Sequence, residues 1–429
     1  MKFTKEEGSW VFYDWANSAY TIIVTTAIFP LYYRGFVGEE QYVATWAFAN
    51  SIGSLLLAVS APFLGVLADY PGLKKRFFLA FLALGVGATT FLGLPVFGYW
   101  LPLLIVYVCS LYGFSGANLF YDAMLVDVTS HERMNRVSAA GYAWGYIGGS
   151  TIPFVAAIVM LSAWERLGFA GRSQAFRAIM FMTAAWWLLF SLPLIRNVRQ
   201  RYALPLSVKP LRDALGRLRG TFGNIGHYRI VFLFLGAYFF YIEGVNTIIR
   251  MATPIAVSIG IPQNTLIIIL LAIQIVAFPF ALLYGRLAQR FSDRGMIFVA
   301  IGVYIVVVFL AFLLPSVPEV STRVAVFWVL AMLVASSQGG IQALSRSYFA
   351  KIIPREASSE FFGFYNVMGK FASIVGPFLV GAMTMITGQE RFGILSVLIL
   401  FAVGGALLLR TPRSETVEEA PLPPAPEKS

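Results

Sequence analysis

The chain reads as a succession of long apolar runs separated by short polar breaks. Spanning about 30 Å of hydrocarbon takes about 20 helical residues. Twelve segments reach that length: 9–34, 41–69, 76–97, 101–129, 137–162 and 175–195, then 229–259, 263–290, 296–314, 324–349, 358–386 and 391–410. The pattern predicts an all-α integral membrane protein with twelve transmembrane helices. One long break groups them six and six. From 196 to 228 no apolar run is long enough to span, and Arg196, Arg199, Arg201, Lys209, Arg212, Arg217 and Arg219 stand against Asp213 alone. The expected organisation is an N-terminal six-helix bundle (1–195), a basic cytosolic linker (196–228), a C-terminal six-helix bundle (229–410) and a tail (411–429). The Glu and Pro content of the tail points to disorder.

Composition sharpens this picture. Of 429 residues 58% are hydrophobic and 12% charged, about half the charged share of a soluble domain and too few to dress a water-exposed surface. A net charge of +11 would suggest nucleic acid in a soluble chain. Here the Lys and Arg residues fall in alternate loops, about 24 on the side of the N-terminus and about 6 on the other. The positive-inside rule then places both termini in the cytosol of a cell membrane, with the lipid bilayer and a small-molecule substrate as partners and no nucleic acid. Cys109 is the one cysteine, and His131 and His227 lie outside the apolar runs. No intrachain disulfide, no metal and no cofactor are therefore expected. The N-terminal run is too long for a signal-peptide core and lacks a small-x-small cleavage site, so it should remain as a membrane helix.

Function classes narrow in the same way. No Gly-x-x-x-x-Gly-Lys-[Ser/Thr] loop is present, which argues against ATP as the energy source. A membrane-embedded enzyme would need a His-centred or Ser/His constellation at depth, and neither histidine is there. A channel would need a continuous charged or carbonyl-lined pore. A secondary transporter is the reading that remains, and a monomer is the expected form.

An internal repeat supports two fused halves. A shift of 224 residues lays Glu356 on Glu132, Gly369 on Gly145 and Pro377 on Pro153. A shift of 220 lays Gly285 on Gly65, and one of 229 lays Glu243 and Asn246 on Asp14 and Asn17.

After the second segment come Gly65, Asp69, Gly72, Lys74, Lys75 and Arg76; after the eighth, a looser copy carries Gly285, Gln289, Asp293 and Arg294. This loop in these two places resembles the signature loop of the major facilitator superfamily, which is associated with switching between conformations. The helix count, basic linker and repeat fit that superfamily along nearly the whole chain. A narrower resemblance rests on Phe12 to Tyr20, Tyr241 to Thr247, Gly340 to Ser347 and Gly369 to Pro377. Together these look like the vacuole effluxer branch, whose fungal members are implicated in exporting amino acids. Glu243 stands where that branch would have Asp. The resemblance implies an alternating-access permease that exports a small polar metabolite such as an amino acid. A drug, sugar or lipid would also fit a superfamily cavity.

Candidate chemistry lies inside the spans. Asp14, Asn17, Ser18, Thr21 and Thr25 form one helical stripe, and Glu243, Asn246, Thr247 and Arg250 form another. An isolated ionisable side chain at mid-depth costs at least about 2.5–3.5 kcal/mol, so these groups should face a cavity or a partner. The two stripes are expected to wall one cavity, with Arg250 taking a carboxylate and Asp14 or Glu243 an amine. Lys370 is expected to pair with Glu243, because helices 7 and 11 are neighbours in the superfamily fold; such a pair would permit proton coupling.

The 224-residue shift also sets Asp122 on Arg346, Asp127 on Lys351 and Arg136 on Glu360. Opposite charges related by a two-fold axis are expected to latch a cytosolic gate in the outward-facing state. Gly141, Gly145, Gly148 and Gly149 in the fifth segment, and Gly363, Gly369, Gly376 and Gly381 in the eleventh, suit surfaces that rock past one another or pack tightly. Trp10, Trp15, Tyr20 and Trp144 are the aromatics expected near the cavity.

Overall fold

The computed structural model describes residues 2–94, 98–205, 210–223, 226–258, 260–371, 375–414, 420 and 422. The disorder expected of the tail falls largely outside them. All regular structure among the described residues is helical. Helix α1 runs over 5–37 as Lys5–Tyr20, a π turn Thr21–Ala27 and Ile28–Val37. There follow α2 (Glu39–Ala68), α3 (Leu73–Leu92) and α4 (Trp100–Ala123). Helix α5 consists of Met134–Trp144, a second π turn Gly145–Thr151, and Ile152–Ser162; α6 is Arg172–Asn197. The second half comprises α7 (Arg229–Ser258), α8 (Gln263–Phe291), α9 (Asp293–Leu313), α10 (Val320–Ile352), α11 (Ser358–Phe371 and Val375–Thr387) and α12 (Glu390–Leu409).

Among the described residues eleven helices are long and apolar enough to cross a membrane. Helix α1 completes the twelve by length; its first section carries Lys5, Glu6, Glu7 and Asp14, which lower its apolarity. The protein is a multi-pass membrane protein. One element was not expected: the linker contains an amphipathic helix, Pro210–Gly223.

Local chemistry sets the helix starts. Thr4 caps α1 in a reciprocal capping box with Glu7, each side chain meeting the other's backbone N–H. Helix α3 starts after Gly72 at φ 74° and α9 after Ser292 at φ 81°. These sharp entries fall at repeat-related loops, and Ser292 offsets its strained backbone by accepting a hydrogen bond from Gly295 N at 3.1 Å.

The halves meet where α2 lies along Ser358–Phe371 of α11 and where α5 lies against α8 and α10. A methyl on Gly65 would collide with Ser359 O, and one on Gly363 would stand 2.9 Å from Ala61 O, so backbone touches backbone there. The later sections of α5 and α11, Ile152–Ser162 and Val375–Thr387, pack chiefly within their own halves. The molecule is therefore closed at the end carrying its N-terminus and the α2–α3 loop. Of the glycines of α5, Gly141 borders Arg346 of the opposite half as well as Asp14, whereas Gly145, Gly148 and Gly149 face their own half. Gly141, Gly145, Gly148 and Gly149 admit Asp14, Ser18 and Trp15 of α1, and serve tight packing inside one bundle.

Candidate gate and transport site

Arg346 on α10 is 2% exposed and reaches into the N-terminal half. Its Nη1 donates to Asp122 Oδ1 and its Nη2 to Asp14 Oδ2, each at 3.1 Å. Nη2 also donates to Ser138 O at 3.1 Å and Nε to Ser138 Oγ at 3.0 Å. The guanidinium carbon lies 4.6 Å from the Trp10 ring centre, 4.5 Å from Tyr142 and 5.5 Å from Tyr121. Asp122 and Arg346, expected as partners, do meet. Asp14, expected with the substrate groups, sits instead with Asp122 on this arginine. Trp10, expected near the cavity, lies here against the guanidinium; Ser138, Tyr121 and Tyr142 were missed, because nothing in their spacing sets them apart from packing residues.

The two outer pairs differ from expectation. Asp127 and Lys351 do not pair across the axis; each finds a charge in its own half. Lys74 Nζ stands 2.8 Å from Asp127 Oδ2, and Lys351 Nζ 3.1 Å from Asp293 Oδ2. The repeat is kept with its charges inverted: the loop supplies the cation in one half and the anion in the other. The short reach from loop to helix end within a half wins over the longer one across the axis. Each pair is strapped by the segment after the sixth helix of its half. Arg201 N and Tyr202 N donate to Asp127 Oδ1 at 2.8 and 3.0 Å; Ser414 Oγ donates to Asp293 Oδ2. Arg136 and Glu360 also stay apart. Arg136 lies over the Phe3 ring at 5.5 Å, while the linker helix brings Thr221 Oγ1 within 2.5 Å of Glu360 and Arg217 within 3.7 Å.

The α2–α3 loop joins the halves directly. Asp69, fully buried, accepts from Ser359 N at 2.8 Å and Glu360 N at 2.9 Å, the first amides of α11. These free N–H groups and the positive end of that helix are natural partners for a carboxylate. Burial nevertheless pushes the Asp69 carboxyl up to about 7, against the opposing pull of Lys74 and the two amides. Lys74 Nζ also donates to Ser358 Oγ at 2.8 Å. Lys75 Nζ donates to Val198 O at 2.9 Å, Arg76 is exposed, and Gly72 supplies the positive φ.

Deeper in the molecule the expected Glu243–Lys370 pair does not form. Glu243, 0% exposed, accepts from Gly376 N through Oε1, and its Oε2 has no hydrogen-bond partner among the described residues. Thr247 Oγ1, one turn on, is buried in the same condition. Arg250, exposed, lies within electrostatic reach of both Glu243 and Lys370. The Gly376 amide, at the start of the Gly376–Pro377 step, takes the carboxylate, and Lys370, half-buried, has Arg250 as a charged neighbour. Asn246 is half-buried beside them, and Asn17 Nδ2 donates to Asn118 Oδ1 at 3.0 Å within the other half.

Two six-helix halves, a backbone-to-backbone closure at one end and a buried inter-half arginine define a transporter of the major facilitator superfamily, not an enzyme. The chain belongs to the family described as vacuole effluxer Atg22 like, which matches residues 34–421. It is 46% identical over 424 residues to the uncharacterized MFS-type transporter YxiO of Bacillus subtilis, covering 97% of both chains. It is 26% identical over 302 residues to autophagy-related protein 22-1 of Penicillium rubens, covering 65% of this chain and 50% of that one. Among solved structures, the transporter FucP in the outward conformation superposes with a TM-score of 0.69 at 11% identity, covering 95% of this chain and 98% of that one. A bacterial homologue of the iron transporter ferroportin in the outward-facing state gives 0.66 at 13% identity, with the same coverages.

Proposed function

We propose that this transporter exports a small polar metabolite, an amino acid in the first instance, across the cell membrane as a proton-coupled monomer. In this reading the closed end and both termini are cytosolic, residues 1–195 and 229–410 are the two rocking bundles, and 196–228 is their cytosolic linker. The arrangement described above is then outward-facing, with Arg346 and the α2–α3 loop as its cytosolic gate.

The observation that carries the substrate reading is the group Glu243, Arg250 and Lys370. Two cations with electrostatic contact and one carboxyl with an unpartnered oxygen lie where α7 packs on α11. A zwitterion satisfies both sides, its carboxylate on the cations and its ammonium on Glu243. Glu243 is also our proton carrier. An ionised carboxylate at such burial costs several kcal/mol without an ion-pair partner, and a neutral carboxyl avoids it. Solvent reaching it from the other side after the halves rock would let the proton leave.

A thermal-shift screen over the amino acids, followed by counterflow in proteoliposomes with any hit, tests the substrate. No hit among the amino acids, and no counterflow with any of them, would end this reading. Coupling is tested by Glu243→Gln: transport should continue and lose its dependence on the proton gradient. Retention of full dependence would remove Glu243 from the coupling role.

A further inference from the structure

The pocket that holds Arg346 is built as a receptor for a cation. Among the described residues every partner of its guanidinium belongs to the N-terminal half: Trp10 and Asp14 on α1, Tyr121 and Asp122 on α4, Ser138 and Tyr142 on α5. From the other half Arg346 brings the one cation in the pocket among the described residues, while Asn366 of α11 donates to Asp122 Oδ2 at 3.5 Å and Ala343 O accepts from Ser138 Oγ at 2.8 Å. Two carboxylates against one guanidinium leave one surplus negative charge, and two surplus charges once α10 withdraws. Aromatic faces at 4.5 and 4.6 Å add cation–π attraction that a water-filled pocket would not provide. The Tyr121 hydroxyl is buried beside Asp14 and has no second polar partner among the described residues.

We propose that, when the closed end opens, this pocket binds the positively charged head of the transported solute, a small organic cation bearing a guanidinium or primary ammonium group. Arg346 is its internal stand-in in the closed state. The proposal rests on the export reading and deepens it by naming the charge class of the cargo. Opening withdraws Arg346 and presents the pocket to the cytosol. Two adjacent carboxylates in a low-dielectric wall then favour any cation that can replace the lost fork of donors. Closing returns Arg346, and the solute head is displaced inward toward Glu243. Occupancy by solute and closure by Arg346 exclude each other at this point, which ties loading to the state of the gate.

The test uses the full chain in lipid nanodiscs with agmatine, guanidinium ion and putrescine as probes. In Arg346→Ala the pocket is empty, and agmatine should raise the unfolding temperature by several degrees. Adding Asp14→Asn or Asp122→Asn should abolish that shift. Guanidinium ion and putrescine separate the two head groups. Wild-type chain supplies the second arm and does not depend on the variant folding. Spin labels at Ser130→Cys and Glu356→Cys in a Cys109→Ser background report the closed end, and saturating agmatine should raise the open population about tenfold. Absence of both the thermal shift and the change in population overturns the proposal, and if Arg346→Ala does not fold an unchanged population alone does so. Counterflow separates the two readings. Cation binding here without export of any amino acid fails the export reading alone; export of neutral amino acids undiminished in Asp14→Asn fails the cation pocket alone.

Discussion

Arg346 and Asp122 stand 224 residues apart in sequence and 3.1 Å apart in space, one from each half, at positions that the internal repeat superposes. The shared axis of the halves therefore passes close to this contact, and Asp14 makes it a forked grip. A hydrogen bond to a charged group contributes about 1.5–3 kcal/mol. Asp122→Asn keeps the shape and removes the charge, so it should move the ratio of open to closed ends roughly tenfold to hundredfold toward open. Exchanging the charges, Asp122→Arg with Arg346→Asp, should restore little, because Asp14 would then face a second carboxylate. Distances between spin labels on the two halves measure both effects. Complete restoration by the exchange would show that Asp14 takes no part in the grip.

Asp69 makes closure depend on pH. Its carboxyl is pushed up to about 7 in the closed state, whereas an aspartate freed into water by opening titrates near about 3.9. Between those values the closed state binds more protons than the open one. Its stabilisation is full below about 4 and is lost as pH rises through about 7. The closed population should thus grow on acidification from pH 8 to 5, and Asp69→Asn should flatten that part of the curve. A closed population that falls on acidification in wild type and not in Asp69→Asn would reverse the assigned sign.

Two glycine substitutions should separate gating from folding. Gly65→Ala sets a methyl against Ser359 O of the opposite half, so the bundles stay folded while the closed end is held apart. Gly148→Ala sets a methyl into the Trp15 ring within one bundle, and overpacking of this kind costs about 1–3 kcal/mol. Spin-label distances should change in the first variant and the unfolding temperature in the second. An unfolding temperature lowered equally in both would contradict the division.

Much of this was readable in the chain, for identifiable reasons. Apolar run length is a direct consequence of bilayer thickness, so the spans lie close to their expected places. Opposite charges at equal repeat positions located Arg346 and Asp122 because a two-fold axis turns sequence symmetry into proximity. The same rule failed for Asp127 and Lys351, since it takes no account of a nearer partner in the adjoining loop. It failed for Glu243 and Lys370 because a backbone amide, Gly376 N, competes for a carboxylate as well as a cation does. The linker helix that brings Arg217 and Thr221 onto Glu360 was hidden by its length, too short to span and therefore read as a loop.

The inverted loop pairs give the sharpest test of that lesson. Lys351 and Asp293 are buried together, as are Lys74 and Asp127. Removing one member of a buried pair costs about 3–5 kcal/mol, whereas replacing both by apolar residues is often near neutral. Lys351→Met alone should therefore be strongly destabilising. Adding Asp293→Leu should recover most of the loss, despite leaving Ser414 without its acceptor. Adding Asp127→Leu instead should deepen it, because Lys74, at 0% exposure, then loses its ion-pair partner and keeps Ser358 Oγ as hydrogen-bond acceptor and Asp69 as charged neighbour. Denaturant unfolding of the purified chain in mild detergent reads all three. Recovery by Asp127→Leu would mean that the charges pair across the axis after all, a second symmetric latch beside Asp122 and Arg346.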